Sequence, residues 1–262
     1  MCDIIEKIKK RSREMKEEKH EKESKVKKKI TKIIGAVIVG GMLMMTAGCG
    51  IMGMGSKSWI EKQVSDIEKV YPTENLEDLF EKFPIGFRIE QLKTFEKDGK
   101  NYSVEIEMRG NPKTKKIDGI AREIYREYKP FKEIIVKESK VEYVKGEGLV
   151  LEKPELEDSL LLKKYFLFQK LKLNKDILKK LEVKDKSFSF ETGKYNIKYL
   201  FTNKEIDNYL GLNKQKVRLV INGQYSERDK TYFHTVVIEE DAKEIDFAEK
   251  VVEEEIGKEN EE

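Results

Sequence analysis

The side chains that could carry catalysis are few, because the 262-residue chain holds only two cysteines and two histidines. Cys2 and Cys49 precede the main body of the sequence, and His20 lies in a charged N-terminal region. His234 is the histidine left to the body that follows residue 49. This count excludes a metal site with two histidines, and any serine nucleophile would need His234 as its base. No G-x-S-x-G turn is present.

His234 lies in the segment "TYFHTVVIE", where strand alternation places it on the same face as Tyr232, Val236 and Ile238. We therefore predict a histidine packed within a sheet. Aspartate and glutamate total 50 residues, so pairs such as those in "ENLED" and "IEED" indicate solvated faces rather than acid–base sites. The sequence predicts no catalytic residue, no metal ligand and no cofactor.

Cys49 has the most specific chemistry in the chain. It lies in an uncharged run, residues 33–56, that follows a lysine-rich segment. Up to Gly48 this layout is that of a signal peptide. The residues Thr46, Ala47, Gly48 and Cys49 resemble a bacterial lipobox, which implies that the cysteine receives a diacylglyceryl group and becomes the first residue after cleavage. Thr46 departs from that pattern, since Leu, Val or Ile is usual there.

Two alternatives to a lipidated cysteine remain open. The run 33–56 is also long enough for an uncleaved single-pass helix, because about 20 apolar residues cross the hydrocarbon core. Cys49 could otherwise be a buried structural cysteine. A cleaved signal and an uncleaved helix both leave the basic N-terminal side in the cytoplasm and the body outside, according to the positive-inside rule.

The charge distribution argues against nucleic acid as a partner. Residues 1–32 carry 13 Lys and Arg against 7 Asp and Glu, whereas residues 33–262 carry 40 basic and 43 acidic residues. A nucleic-acid-binding domain would be expected to gather its excess positive charge on the folded body, because phosphate neutralisation drives such binding. Here the excess precedes the membrane segment.

The body alternates between strand and helix patterns, which predicts an α+β fold of antiparallel hairpins packed with a few helices. A helix is predicted over 58–71, with Trp59 as its core anchor. The alternative for Trp59 is a membrane-interface role, since it follows Cys49 by ten residues. Thr73 is predicted to cap a short helix over 73–80, and Pro154 to open the most apolar helix, over 154–173.

Turn signals predict the hairpins. Asp98-Gly99 predicts a tight turn between two alternating runs. Residues 117–128 fit either a helix or a strand, and further strands follow Pro130. Other predicted turns and ends are those at 145–148, at Gly193, at Gly211 as the end of a short helix, and near Arg228, Asp229 and Lys230.

The segment "DIEKVYPTENLEDLFEK", residues 66–82, resembles the staphylococcal tandem lipoproteins, the conserved staphylococcal antigen family. That family has a YP-x-x-NLEDL segment after the lipobox cysteine. The residues that match it are Tyr71, Pro72, Asn75, Leu76, Glu77, Asp78 and Leu79. Weaker similarity follows in 140–165 and 216–225. The long N-terminal region and the lack of a Gly/Trp-rich patch after the motif are departures.

The resemblance implies a membrane-anchored surface lipoprotein without known catalysis, suspected in contacts with the host, and it implies no binding residues. The predicted organisation is a charged region 1–32, a hydrophobic signal segment 33–48, a tether 49–57, an extracellular α+β domain 58–250 and an acidic tail 251–262. We expect a non-catalytic, lipid-anchored protein that binds a host or envelope protein. A solute-binding or envelope-maintenance module, or an exterior enzyme using carboxylates, are the alternatives.

Overall fold

The computed structural model describes residues 53–128, 130–213, 216–225, 232–240 and 246–256. Within these ranges, ten strands form one antiparallel sheet. The strands are β1 Phe87–Lys97, β2 Lys100–Gly110, β3 Ile117–Tyr128, β4 Phe131–Val144, β5 Gly148–Leu151, β6 Glu182–Phe188, β7 Lys194–Phe201, β8 Val217–Gln224, β9 Phe233–Glu239 and β10 Asp246–Glu253. The α+β fold predicted from the sequence is confirmed.

The sheet consists of two meanders joined at their first and last strands. Its order is β5-β4-β3-β2-β1-β10-β9-β8-β7-β6, so β1 and β10 meet in the middle. The α-helices are α1 Lys57–Val64, α2 Leu79–Lys82, α3 Glu157–Leu160, α4 Lys175–Leu178 and α5 Lys204–Leu210. Short 3-10 helices cover Ser65–Lys69, Leu76–Asp78, Pro154–Leu156 and Leu167–Gln169.

One face of the sheet, called the inner face here, is covered by the helical segments. The connection from β5 to β6 joins the two edge strands and therefore crosses this face, with α3 against β2 and β3 and with α4 against α1. α1 in turn contacts β7 and β8. The core lies between these segments and the inner face, and its fully buried members include Ile60, Leu76, Ile89, Phe168 and Ile221.

The turn predicted at Asp98-Gly99, where the local sequence signal is strong, is confirmed. β1 and β2 pair up to Lys97 and Lys100, and the turn between them places Asp98 and Gly99 at φ of 53° and 72°. Both values are in the left-handed region that an Asp-Gly turn tolerates. Residues 117–128 form strand β3, which resolves the ambiguity between helix and strand.

Two other predicted turns have different outcomes. Gly211 ends α5 with a left-handed conformation, as predicted. β8 and β9 pair as an antiparallel hairpin. Their predicted turn at Arg228, Asp229 and Lys230 falls outside the described residues.

The helix predicted over 154–173 is wrong. The chain forms a 3-10 turn and the single α-helical turn α3, and a second 3-10 helix begins only at Leu167. The backbone N–H groups of Leu167 and Phe168 are bound by a glutamate side chain, as described below. Tertiary hydrogen bonds of this kind compete with the helical pattern, and propensity alone does not decide the outcome.

The N-terminal helices are also shorter than predicted. The α-helix ends at Val64 and continues as a 3-10 helix to Lys69, which covers most of the predicted span 58–71. Thr73 does not cap a helix: its hydroxyl donates to the carbonyl of Val70 and accepts from the Lys82 ammonium at 2.7 Å. The Thr73 hydroxyl therefore links the backbone of Val70 to the side chain of Lys82 instead of capping a helix.

The predicted boundary between body and acidic tail, residue 250, is too early. β10 continues to Glu253 in the centre of the sheet, and Val251 is buried between Ile89 and His234 on the flanking strands. Phe247 and Val251 both lie on the inner face of the sheet. The glutamates around them obscured this strand pattern in the sequence.

Candidate functional site

The predicted lipidation site lies outside the described residues. This applies to Cys49 and to the lipobox residues Thr46, Ala47 and Gly48, so their chemistry stays a prediction. Among the described residues, no helix is both long and apolar enough to cross a membrane. The described part of the predicted tether begins at Gly53. Ser56 caps α1 by accepting a hydrogen bond from the backbone N–H of Trp59.

The family-motif residues divide into a buried and an exposed set. Tyr71, Leu76 and Leu79 are almost completely buried, whereas Pro72, Asn75 and Asp78 are exposed. Glu77 pairs with Lys145 of the β4–β5 turn at 2.8 Å. The buried members fix this segment on the inner face, so the motif has a clear structural role in this chain.

Tyr71 leads to the centre of the fold, which is the Glu249 carboxylate on β10. Glu249 lies opposite Gln91 on the neighbouring strand β1 and has no exposed surface. Its Oε1 accepts from the Tyr71 hydroxyl at 3.2 Å and from the Phe168 backbone N–H at 2.8 Å. Its Oε2 accepts from the Leu167 backbone N–H at 2.8 Å and from the Gln91 amide at 3.2 Å.

The environment of Glu249 shifts its ionisation. Burial raises the pKa of the Glu249 carboxyl from its ordinary value of 4.5 to about 7, and the four hydrogen-bond donors oppose this effect. The neighbouring Tyr71 phenol has its pKa raised by burial and, next, by the Glu249 charge, so it remains a donor. A raised carboxyl pKa is also a property of acid–base catalysts, so the accessibility of Glu249 decides its role.

Glu249 holds the fold together and is not placed to meet a substrate. All four donors come from the protein itself, and the side chain is fully enclosed. Its hydrogen bonds join strand β10 to the β5–β6 connection, at Leu167 and Phe168, and to Tyr71. The β5–β6 connection and the residues after Tyr71 are also bonded directly, because the Thr73 N–H donates to the Phe168 carbonyl at 3.2 Å. Sequence reasoning missed Glu249 because it begins the run "EKVVEEE", whose many acidic residues lead into the predicted acidic tail.

His234 is packed within the sheet, as the alternation predicted. Its side chain is buried, and Nε2 lies 3.1 Å from the Tyr195 hydroxyl. Gly223 on the strand between them leaves room for the Tyr195 ring, since a Cβ there would come within 2.3 Å of the Tyr195 hydroxyl. This close approach explains why a glycine occurs inside β8.

Burial also determines the charge state of His234. It lowers the pKa of the imidazole to about 4, so the ring is neutral at physiological pH. Nδ1 has no hydrogen-bond partner of good geometry, although the nearby backbone of Gln63 favours the charged form. A neutral ring between Tyr195 and Tyr232 serves packing.

An ionic cluster lies on the outer face of the two central strands. Lys250 pairs with Glu90 at 3.1 Å and lies 5.0 Å from the centre of the Phe233 ring. Arg88 contacts Glu90 and pairs with Glu254 at 2.6 Å. Burial, and next the charge of Arg88, lowers the pKa of Lys250 to about 8. The cations and carboxylates are matched, which indicates a structural network.

Metal-type clusters are a further possibility for the abundant acidic residues. Within the described ranges, no group of three or more His, Cys, Asp or Glu side chains is arranged to hold a metal ion.

The most accessible apolar surface lies on β4. Phe131, Ile135 and Val136 are 64%, 54% and 47% exposed. β5 pairs only with residues 141–144 of this strand, so among the described strands β3 alone pairs with residues 131–140. With respect to the described residues, the other side of this segment is a strand edge. We call residues 131–138 the β4 edge.

A bulge shapes the β4 edge. Consecutive residues 123 and 124 of β3 lie opposite Lys137 and Ile135, which leaves Val136 as the extra residue. Bulges bend an edge strand and discourage pairing with long strands of other molecules. Ile135 and Val136 are thus adjacent and exposed at a place that resists unspecific sheet extension.

Comparison of the chain with protein-family models and with curated proteins gave no match. The family resemblance of residues 66–82 therefore stays a prediction.

Proposed function

We propose that this protein is a bacterial surface lipoprotein, anchored to the cell membrane through Cys49, whose folded body binds another protein and does not catalyse a reaction. The observation that carries the proposal is the sequence around Cys49, a small-residue lipobox-like segment between an apolar run and a folded body. The body begins close behind it, because α1 starts at Lys57. The family resemblance agrees with this location.

The chemistry of the described body supports binding rather than turnover. Glu249 and His234, two ionisable groups with strongly shifted pKa values, are enclosed and serve packing or hydrogen bonding. The β4 edge instead presents three large apolar side chains to solvent. Adjacent exposed apolar side chains are typical of protein–protein interaction sites, and the bulge favours contact through these side chains over the addition of a strand. A protein of the envelope or of a host is the partner class that fits the proposed location.

The anchor is tested by intact-mass analysis of the membrane fraction of cells that express the chain. A fragment that begins at Cys49 and carries a diacylglyceryl group is the expected result. A full-length, unmodified chain in the membrane would replace the lipoprotein with a single-pass protein, and a soluble unmodified chain would remove the membrane location. Cys49→Ser is the matched variant and should abolish the lipid mass.

The binding role is tested with a photo-crosslinking amino acid at position 135, and with the same group at Lys184 on the opposite edge strand as control. We expect an adduct of one defined mass at position 135, and its loss when Val136→Lys adds a charge beside it. Equal products at both positions, or none at 135, would contradict binding at the β4 edge.

A further inference from the structure

The point at which the tether meets the body is defined by contacts with β6. The Gly55 carbonyl accepts from the Lys186 ammonium at 3.2 Å, and a Cβ at Gly55 would lie 3.1 Å from the Phe188 Cβ. Gly55 follows Cys49 by six positions, and a fully extended chain of that length spans at most about 21 Å. The β6–β7 hairpin is therefore close to any lipid attached to Cys49.

This hairpin presents an aromatic side chain with rigid support. Phe190, in the turn after β6, is 51% exposed and meets Phe188 edge-on, with ring centres 4.9 Å apart. Phe188 packs against Trp59 at 4.7 Å, and Trp59 contacts Tyr225 at 5.3 Å. A single exposed apolar residue is common on protein surfaces. Phe190 differs because it caps an aromatic stack beside the tether.

The charge of the hairpin is balanced. Residues 182–194 contain three lysines and three acidic residues. Attraction to anionic lipids through a basic patch is therefore not expected, and the apolar contact must dominate. Aromatic side chains are enriched at membrane–water interfaces for this kind of contact.

We propose that the β6–β7 hairpin lies against the outer leaflet, with Phe190 inserted at the boundary between headgroups and acyl chains. This inference rests on the proposed lipid anchor. The hairpin is then a second contact that fixes the orientation of the body. Trp59 packs against Phe188 behind this contact. It would therefore be a core anchor and would also lie near the membrane interface, the two roles considered for it from the sequence.

Fluorescent labels that respond to solvent polarity test this orientation. The native membrane form is purified from a Cys2→Ser background, with Glu191→Cys labelled beside Phe190. Lys132→Cys is the matched control, because it lies beside the exposed Phe131 on β4, eight strand positions away in the sheet. Each protein is reconstituted in vesicles of phosphatidylcholine with a varied share of phosphatidylglycerol.

The expected result is a shift of the label at position 191 to shorter wavelengths, with quenching by spin-labelled lipids, and neither effect at position 132. Phe190→Asp should abolish the lipid quenching at 191, and the share of phosphatidylglycerol should leave it unchanged. Equal, water-like signals at both positions would overturn the inference, as would equal quenching at both.

Failure of the anchor itself gives a different result. The intact mass of each preparation then lacks the lipid, and the free thiol of Cys49 takes up a second label. A lipidated protein with no contrast between positions 191 and 132 would leave the proposed function intact and remove only the hairpin contact.

Discussion

The centre of the sheet buries a polar side chain, whereas the β4 edge exposes apolar ones. At the centre, Glu249 is a buried carboxylate with four protein donors. At the β4 edge, Ile135 and Val136 are apolar side chains left largely in solvent. A buried polar side chain whose oxygens are all hydrogen-bonded stabilises one arrangement of the chain, whereas exposed apolar surface adds little to folding and is available to a partner. An unusual residue environment thus indicates function only when it is accessible.

The largest expected effect is a loss of folding stability when Glu249, at the centre of the sheet, is replaced. Glu249→Gln places an amide N–H₂ against backbone donors, so we expect a loss of about 3 kcal/mol in the free energy of unfolding. Chemical denaturation at pH 5, followed through Trp59 fluorescence, measures it. Glu253→Gln, on the same strand but only half-buried, should change the free energy by about 0.5 kcal/mol or less. Equal effects of the two substitutions would refute the central role of Glu249.

The pH dependence of stability gives a second test, with signs that follow from proton binding. Folded Glu249 titrates near pH 7 rather than 4.5, so its contribution is full below about pH 4.5 and is lost as the pH rises through 7. Folded His234 titrates near pH 4 rather than 6.5, so its contribution is full above about pH 6.5 and is lost as the pH falls through 4. Each effect is limited to about 3 kcal/mol.

These two contributions oppose each other in the unmodified protein, which should show a shallow dependence between pH 4.5 and 7. Glu249→Gln should leave a stability that falls towards acid, and His234→Gln one that falls towards neutral pH. Denaturation curves across this range measure both slopes. Identical slopes in the two variants would show that these groups do not titrate as their burial requires.

A smaller effect is expected at the edge of the Glu249 cluster. Tyr71→Phe removes one donor to the carboxylate and retains the ring, so we expect a loss of about 1 kcal/mol. Tyr102→Phe, in a partly exposed stack with Phe95, is the matched control and should have little effect. If the two variants unfold at the same denaturant concentration, the Tyr71 hydroxyl does not stabilise the centre.

The smallest effect on stability is expected at the β4 edge. Ile135→Ser should change the free energy of unfolding by about 0.5 kcal/mol or less, because the side chain is already exposed. Val141→Ser on the same strand, where the side chain is buried, should cost about 2 kcal/mol. Thermal unfolding of both variants makes the comparison. A large loss from Ile135→Ser would mean that the edge belongs to the core.

The parts of the fold predicted correctly are those that neighbouring residues specify. Asp98-Gly99 defines its turn through backbone preference, and the alternation from Ile106 to Gly110 at the end of β2 follows from one wet and one buried face. The helix over 154–173 failed because its leucine-rich pattern was satisfied by a chain crossing the sheet in short turns. An apolar pattern requires burial, and it does not specify which backbone conformation provides it.

The sequence by itself determined the β1–β2 hairpin, the packed histidine and the candidate anchor at Cys49, because each depends on residues that are close in the chain. Only the tertiary structure placed β10 between β1 and β9 and made Glu249, which lies next to the predicted acidic tail in the sequence, the central hydrogen-bond acceptor. The physical reason is distance along the chain: Tyr71 and Glu249 are 178 residues apart, and no local pattern encodes which distant donors will surround a carboxylate.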